Sequence, residues 1–91
     1  VFNLKSTKVR VIANGGLTGD TVNQLTNELS KFTFKIMLKY NGTTTIANSS
    51  LGVMSLGVPA DAEVEISVEG DDAQLQEVIT ALTDKQFVKT L

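Results

Sequence analysis

Phe34-Lys35-Ile36-Met37-Leu38-Lys39-Tyr40-Asn41-Gly42-Thr43-Thr44-Thr45-Ile46-Ala47 is the stretch on which the fold turns. Phe34, Ile36, Leu38 and Tyr40 alternate with Lys35, Met37 and Lys39, the period of two expected of a strand with one buried face. Asn41-Gly42 accepts positive φ at both positions, so it favours a two-residue reversal and makes Thr43 to Ala47 the antiparallel return strand.

Upstream, Val9, Val11 and Ala13 alternate with Lys8, Arg10 and Ile12, which predicts a first strand. Asn14-Gly15-Gly16 ends it. Val22, Leu25, Leu29 and Phe32 then recur at helical spacing, predicting a helix from about Gly19 to Ser30 with Asp20 placed to cap its start.

Downstream of the hairpin, a short helix is expected to begin at Ser49 or Ser50, with Leu51, Met54 and Val58 on one side, and to stop at Gly57 before Pro59. Val64, Ile66 and Val68 alternate with Glu63, Glu65, Ser67 and Glu69, a half-exposed strand with an acidic outer face. Gly70-Asp71-Asp72 turns into a last helix carrying Leu75, Val78, Ile79 and Leu82, its aspartates favoured at the positive helix end. The tail from Lys85 to Leu91, with Phe87, Val88 and Leu91, is expected to prolong that helix or pack near it. The order βαββαβα, joined by short connections, implies an α+β open-faced sandwich: a four-stranded antiparallel sheet with three helices on one face. The 91 residues form a single domain, 1–91, because a chain this short has surface enough for one core.

Composition narrows the chemistry. Hydrophobic residues make up 42% and charged residues 20%, which argues against disorder, and no apolar run approaches the roughly 18 residues of a membrane span. Cysteine and histidine are both absent, which removes disulfides, thiolate or imidazole metal sites and a Ser/His/Asp triad. Eight basic residues scattered against ten acidic ones leave a formal charge of −2 and no footprint for nucleic acid. Val1-Phe2-Asn3-Leu4-Lys5 has no basic region leading into an apolar stretch, so no secretory signal is read and a cytoplasmic location is expected.

Two local motifs make the sequence resemble the HPr family of the bacterial phosphoenolpyruvate:sugar phosphotransferase system. The family's regulatory segment, Lys-Ser-Ile-Met-Gly-Val-Met-Ser-Leu-Gly, agrees at seven of ten places with Asn48-Ser49-Ser50-Leu51-Gly52-Val53-Met54-Ser55-Leu56-Gly57. Glu63-Val64-Glu65-Ile66 and Gly70-Asp71-Asp72 are similar to the family's last strand and the start of its last helix, so the resemblance covers essentially the whole chain. The carriers' phosphorylation motif, Gly-Leu-His-Ala-Arg-Pro-Ala, falls on Gly16-Leu17-Thr18-Gly19-Asp20-Thr21-Val22 and agrees only at Gly16 and Leu17. The histidine position is thus Thr18 and the arginine position Asp20, which repels an anion where arginine would bind it. Imidazole can accept and pass on a phosphoryl group near neutral pH, and an unactivated threonine hydroxyl cannot.

Catabolite-repression HPr-like proteins also lack the histidine and act as regulators. The resemblance therefore implies a protein that cannot carry phosphohistidine and that serves as a regulator or adaptor, with Ser49 as the phosphorylation site at the start of the second helix. It implies Ser50, Leu51, Val53 and Met54 as the partner-binding surface, and a serine kinase and a transcription regulator as protein partners. The alternative is a drifted HPr-fold binding module in which Ser49, or Ser50, only caps the helix.

An enzyme in its own right is disfavoured, since no acid, base or nucleophile groups converge in the motifs. No metal or other cofactor is expected: Asp71-Asp72 reads as a helix start, and Gly15-Gly16-Leu17-Thr18-Gly19 lacks the lysine of a phosphate-binding loop. Lys8 and Arg10 are expected to face Glu63 and Glu65 across strands or to lie on solvated surface.

Overall fold

The computed structural model describes residues 4–91, so Val1, Phe2 and Asn3, part of the segment read as free of a secretory signal, lie outside the described residues. The chain runs β1 (Leu4–Val11), α1 (Gly19–Leu29), β2 (Ile36–Tyr40), β3 (Thr43–Ile46), α2 (Ser50–Leu56), β4 (Glu63–Glu69), α3 (Asp72–Asp84) and β5 (Val88–Thr90). One sheet in the order β3-β2-β4-β1-β5 holds all the strands, and every neighbouring pair is antiparallel.

The hairpin forms as its sequence dictates, with Asn41 at φ 51 and Gly42 at φ 82 between Tyr40 and Thr43, which pair across the turn. Alternation fixes the face of each strand. Val9 and Val11, Ile36 and Leu38, and Val64, Ile66 and Val68 point into a core closed by Val22, Leu25 and Leu29 of α1, Val53 of α2, and Val78, Ile79 and Leu82 of α3. Removing each such side chain from water contributes about 1.5–3 kcal/mol. On the opposite face Lys8 stands across from Glu65, and Arg10 stands across from Glu63 with its guanidinium 3.5 Å from the carboxylate.

The tail corrects the four-strand expectation. Instead of prolonging α3, the chain reverses at Gln86 (φ 61), and Phe87 N–H turns back to Leu82 O at 3.0 Å. Phe87 O then accepts from Ile12 N and Ala13 N, and Val88 to Thr90 becomes a fifth strand beside β1, with Phe87 and Val88 buried. Three residues are too few to show a period of two, so only their apolar character was legible. β1 also begins earlier than read, at Leu4, because its polar first half pairs along β4 from Leu4 opposite Glu69 onward.

The helix ends differ in their chemistry. Asp71 and Gln74 close a capping box on α3, Gln74 N donating to Asp71 Oδ1 at 2.8 Å and Asp71 N to Gln74 Oε1 at 2.9 Å. For α1 the capping position is Thr18, not Asp20; Asp20 lies inside the first turn, where its charge meets the positive helix end.

Candidate functional site

Gly16 and Leu17 join the β1–α1 loop to the segment that follows α2. Gly16 has φ +81, and a Cβ there would stand 2.4 Å from Val58 O, 2.7 Å from Pro59 C and 2.8 Å from Ala60 N, all main-chain atoms. Leu17 N donates to Val58 O at 2.9 Å, and the Leu17 side chain is 1% exposed in the core. Both residues of the motif segment that match the carriers are therefore set by packing. Thr18, Gly19 and Asp20, where the chain departs from the carriers, are exposed. Thr18 Oγ1 donates to Gly15 O at 3.4 Å and makes no capping bond to α1.

Ser49 sits at the head of α2 with extended backbone (φ −99, ψ 111), and its Oγ accepts from Gly52 N at 3.2 Å. Its carbonyl takes Val53 N at 3.0 Å, so the first turn closes on Ser49 from both sides. At the other end Gly57 (φ 64) stops the helix in the left-handed conformation its sequence suggested.

Ser50 faces inward toward α1. Thr26 Oγ1 lies 3.1 Å from Ser50 Oγ and 3.2 Å from Asn23 O. The two hydroxyls share one hydrogen bond, and either oxygen can be its donor. This bond fixes the head of α2 against the last turn of α1, eight residues past Thr18, about 12 Å along the axis. The tail of α2 meets the Thr18 loop through Leu17 and Val58. One face of the molecule thus runs from Thr18 and Asp20 at one end to Ser49 at the other, with α2 between them.

The structure divides the residues that the sequence reading grouped on α2: Leu51 and Met54 share an exposed side, while Val53 and Val58 are buried. Leu51 is 74% exposed and Met54 43%, whereas Val53 is 0% exposed. Leu51 and Met54 were expected on one side with Val58, and of that set only Val58 is buried. The physical reason is Gly52: a Cβ there would stand 2.1 Å from Thr45 Oγ1, so this side of the helix lies against β3 and turns Leu51, Met54 and Ser55 to solvent. Val53, expected on the partner surface, supports α2 from beneath instead, and the solvent-facing apolar pair is Leu51 and Met54.

Ion pairs lie elsewhere. Lys31 binds the Glu28 carboxylate and holds its pKa below the ordinary value of 4.5, chiefly by that hydrogen bond. Lys5 is 4.0 Å from Asp72, so of the acidic pair opening α3 one residue is a helix cap and the other faces a cation. A groove of about 520 Å³ lies between Phe32 and the Ala73, Glu77 and Ala81 side of α3, apart from both Thr18 and Ser49.

Comparison with known proteins places this geometry among relatives. The family model described as the PTS HPr component phosphorylation site matches residues 5–85. HPr-C-His from Thermoanaerobacter tengcongensis is similar at 32% identity and a TM-score of 0.78, over 90% of each chain. A phosphocarrier protein HPr from Bacillus anthracis is similar at 26% identity and a TM-score of 0.77, over 86% of this chain and 95% of that one. An HPr dimer from Thermoanaerobacter tengcongensis is similar at 30% identity and a TM-score of 0.64, over 79% of this chain and 84% of that one.

Proposed function

The chain belongs to the HPr family of the phosphotransferase system, and from that premise we propose that it cannot carry phosphohistidine and acts as a regulatory or adaptor protein through Ser49. Support comes from the division within the Gly16–Asp20 segment. The residues that match the carriers are those the fold needs, and the exposed positions where the carriers hold histidine and arginine are Thr18 and Asp20. No histidine stands anywhere in the chain to take their place.

The observation that carries the regulatory half of the reading is the setting of Ser49. It is half-buried at the head of α2, next to a solvent-facing Leu51 and Met54. A phosphoryl group on its Oγ adds about −1.5 to −2 charge beside that apolar pair. The Gly52 N–H that the hydroxyl now accepts points at the same place. Such a change alters which partner fits the face without unfolding the domain. Ser50 contributes by holding α2 on Thr26, and Val53 by packing below. The role is exercised by contact with proteins in the cytoplasm, a serine kinase and a transcription regulator among them, and not by turnover of a substrate.

A second reading is favoured by one observation. The Ser49 hydroxyl already has a full task as a helix cap, which requires no kinase. In that reading the chain is a drifted binding module whose face is constant.

Incubation with ATP and the family's serine kinase separates the two, with intact mass as the readout. The expected result is one phosphate on the wild type and none on Ser49→Ala. No addition, while a histidine-bearing HPr in the same tube is modified, sinks the serine switch and leaves the constant module.

A further inference from the structure

From Tyr40 to Ala60 the chain has no Asp, Glu, Lys or Arg, a stretch that contains β3 and α2. β3 is one of the two outer strands of the sheet, and Thr43, Thr44 and Ile46 are exposed on it. Natural proteins shield free edges with charges, proline, bulges or a covering element, because the unpaired main chain is a template for another strand. The opposite edge, β5, is three residues long with Lys89 at its centre. β3, Thr43-Thr44-Thr45-Ile46, has neither charge nor proline and is rich in β-branched side chains.

Which groups face outward follows from the pairing. Ala47 N donates to Ile36 O at 2.9 Å, and Tyr40 and Thr43 close the two-residue turn. Antiparallel alternation then directs N–H and C=O of Thr43 and Thr45 to β2 and those of Thr44 and Ile46 away from it. Ser49 N takes the Ile46 carbonyl at 3.1 Å. Thr44 N–H, Thr44 C=O and Ile46 N–H remain without a partner among the described residues. α2 packs on the helix-side face of β3 through Gly52 and Thr45, not along this row.

We propose that this edge is a self-association surface, on which β3 of a second copy of the chain pairs antiparallel about a two-fold axis through Thr44. An edge bearing lysines repels its own copy, whereas an uncharged one does not, so the absence of charge that leaves β3 unguarded also makes it self-complementary. About that axis the N–H and C=O of each Thr44 meet the C=O and N–H of the other, and two threonines stand opposite each other, a favourable cross-strand pair. An axis perpendicular to the sheet keeps both helix layers on one side. The two α2 helices, each packed on its own β3 through Gly52 and Thr45, then lie on the same side of the joined sheet. The inference goes beyond the Ser49 reading and does not depend on that residue being modified.

Sedimentation velocity from micromolar to millimolar protein tests it, together with amide exchange at the same concentrations. The mass is expected to rise with concentration from 9.8 kDa toward twice that value. Thr44 and Ile46 amides are expected to gain protection in step with it, while Thr43 and Thr45, already facing β2, do not change. Thr44→Pro removes an outward N–H without touching the β2 ladder, and Thr44→Lys sets like charges opposite each other. Both variants are expected to keep the wild-type circular dichroism and to stay monomeric. A wild type that is monomeric throughout, a dimer whose Thr44 and Ile46 amides exchange as in the monomer, or folded variants that still dimerise would each overturn the proposal. A phosphorylated chain that never dimerises sinks the edge alone, and a dimer that the kinase ignores sinks the serine switch alone.

Discussion

Replacing Gly16 with alanine adds one methyl group, and the structure says it has nowhere to go. Two costs add. The φ of +81 is in the left-handed half of the map, where an L side chain costs roughly 1–2 kcal/mol. The new Cβ also stands 2.4 Å from Val58 O and within 2.8 Å of Pro59 C and Ala60 N. Main-chain atoms cannot rotate aside, so the α2–β4 loop must move and the Leu17 N to Val58 O bond must lengthen, a further loss of about 1–3 kcal/mol. The sum, about 2–5 kcal/mol, is a large part of the 5–15 kcal/mol that holds a domain of this size folded. It corresponds to a melting point lower by at least about 10 °C. Gly15→Ala is the matched control: its φ is +78 but nothing lies within 4 Å, so it bears the conformational cost alone. Urea unfolding followed by circular dichroism measures both. Equal losses in the two variants would refute the reasoning, since the close approach of the two loops would then contribute nothing.

Ser49→Ala is expected to cost about 1 kcal/mol through the lost cap, while Ser49→Asp, which can accept the same N–H, stays within a few tenths; chemical denaturation distinguishes them. Phe87→Ala is expected to lose about 3–5 kcal/mol, far more than an end-of-chain residue with no packing role, and the same titration reads it. Glu28 is held below its ordinary pKa by Lys31, so its folded carboxyl titrates below the unfolded one. Its contribution is therefore complete above pH 4.5 and is lost as pH falls through the folded value. Glu28→Gln should accordingly destabilise at neutral pH, with the gap to wild type closing in acid; a gap independent of pH would contradict the assignment.

How much of this was legible depended on how many residues carried each signal. The hairpin at Asn41-Gly42 and the alternation of β4 span enough residues to fix a period. The hairpin stands as read, and Val64, Ile66 and Val68 face the core as read. Ser67, read as outer, is buried because β4 lies between β2 and β1. α2 has seven residues, barely two turns, so Leu51 and Met54 at helical spacing could equally mark an inner or an outer side. Gly52 decides the matter by what it lacks, and only the position of Thr45 reveals it. The cap at Ser49 was readable because it is local. The Ser50 to Thr26 bond joins residues 24 apart and has no local signature. β5 escaped notice for want of length, although its buried residue Val88, and Phe87 just before it, were named as apolar.

The placement of β1 between β4 and β5 has a consequence for the order in which the molecule assembles. β2 and β3 meet across a two-residue turn, but Arg10 finds Glu63 at a separation of 53 residues, and Val9 finds Thr90. The hairpin can form as soon as it is made, whereas β1 waits with Val9 and Val11 unburied until β4 and then β5 have followed it. Contacts this distant in sequence slow folding, because the loop between them must close before any pairing rewards it. A nascent chain that has made β4 but not β5 holds a β1 with one side still open, and at a synthesis rate of roughly 5–20 residues per second the stretch from Glu69 to Thr90 takes about 1–4 seconds. β1 is thus made before both of its sheet neighbours and secured only when the second of them arrives, so the window in which this chain needs shelter is set by its sheet order.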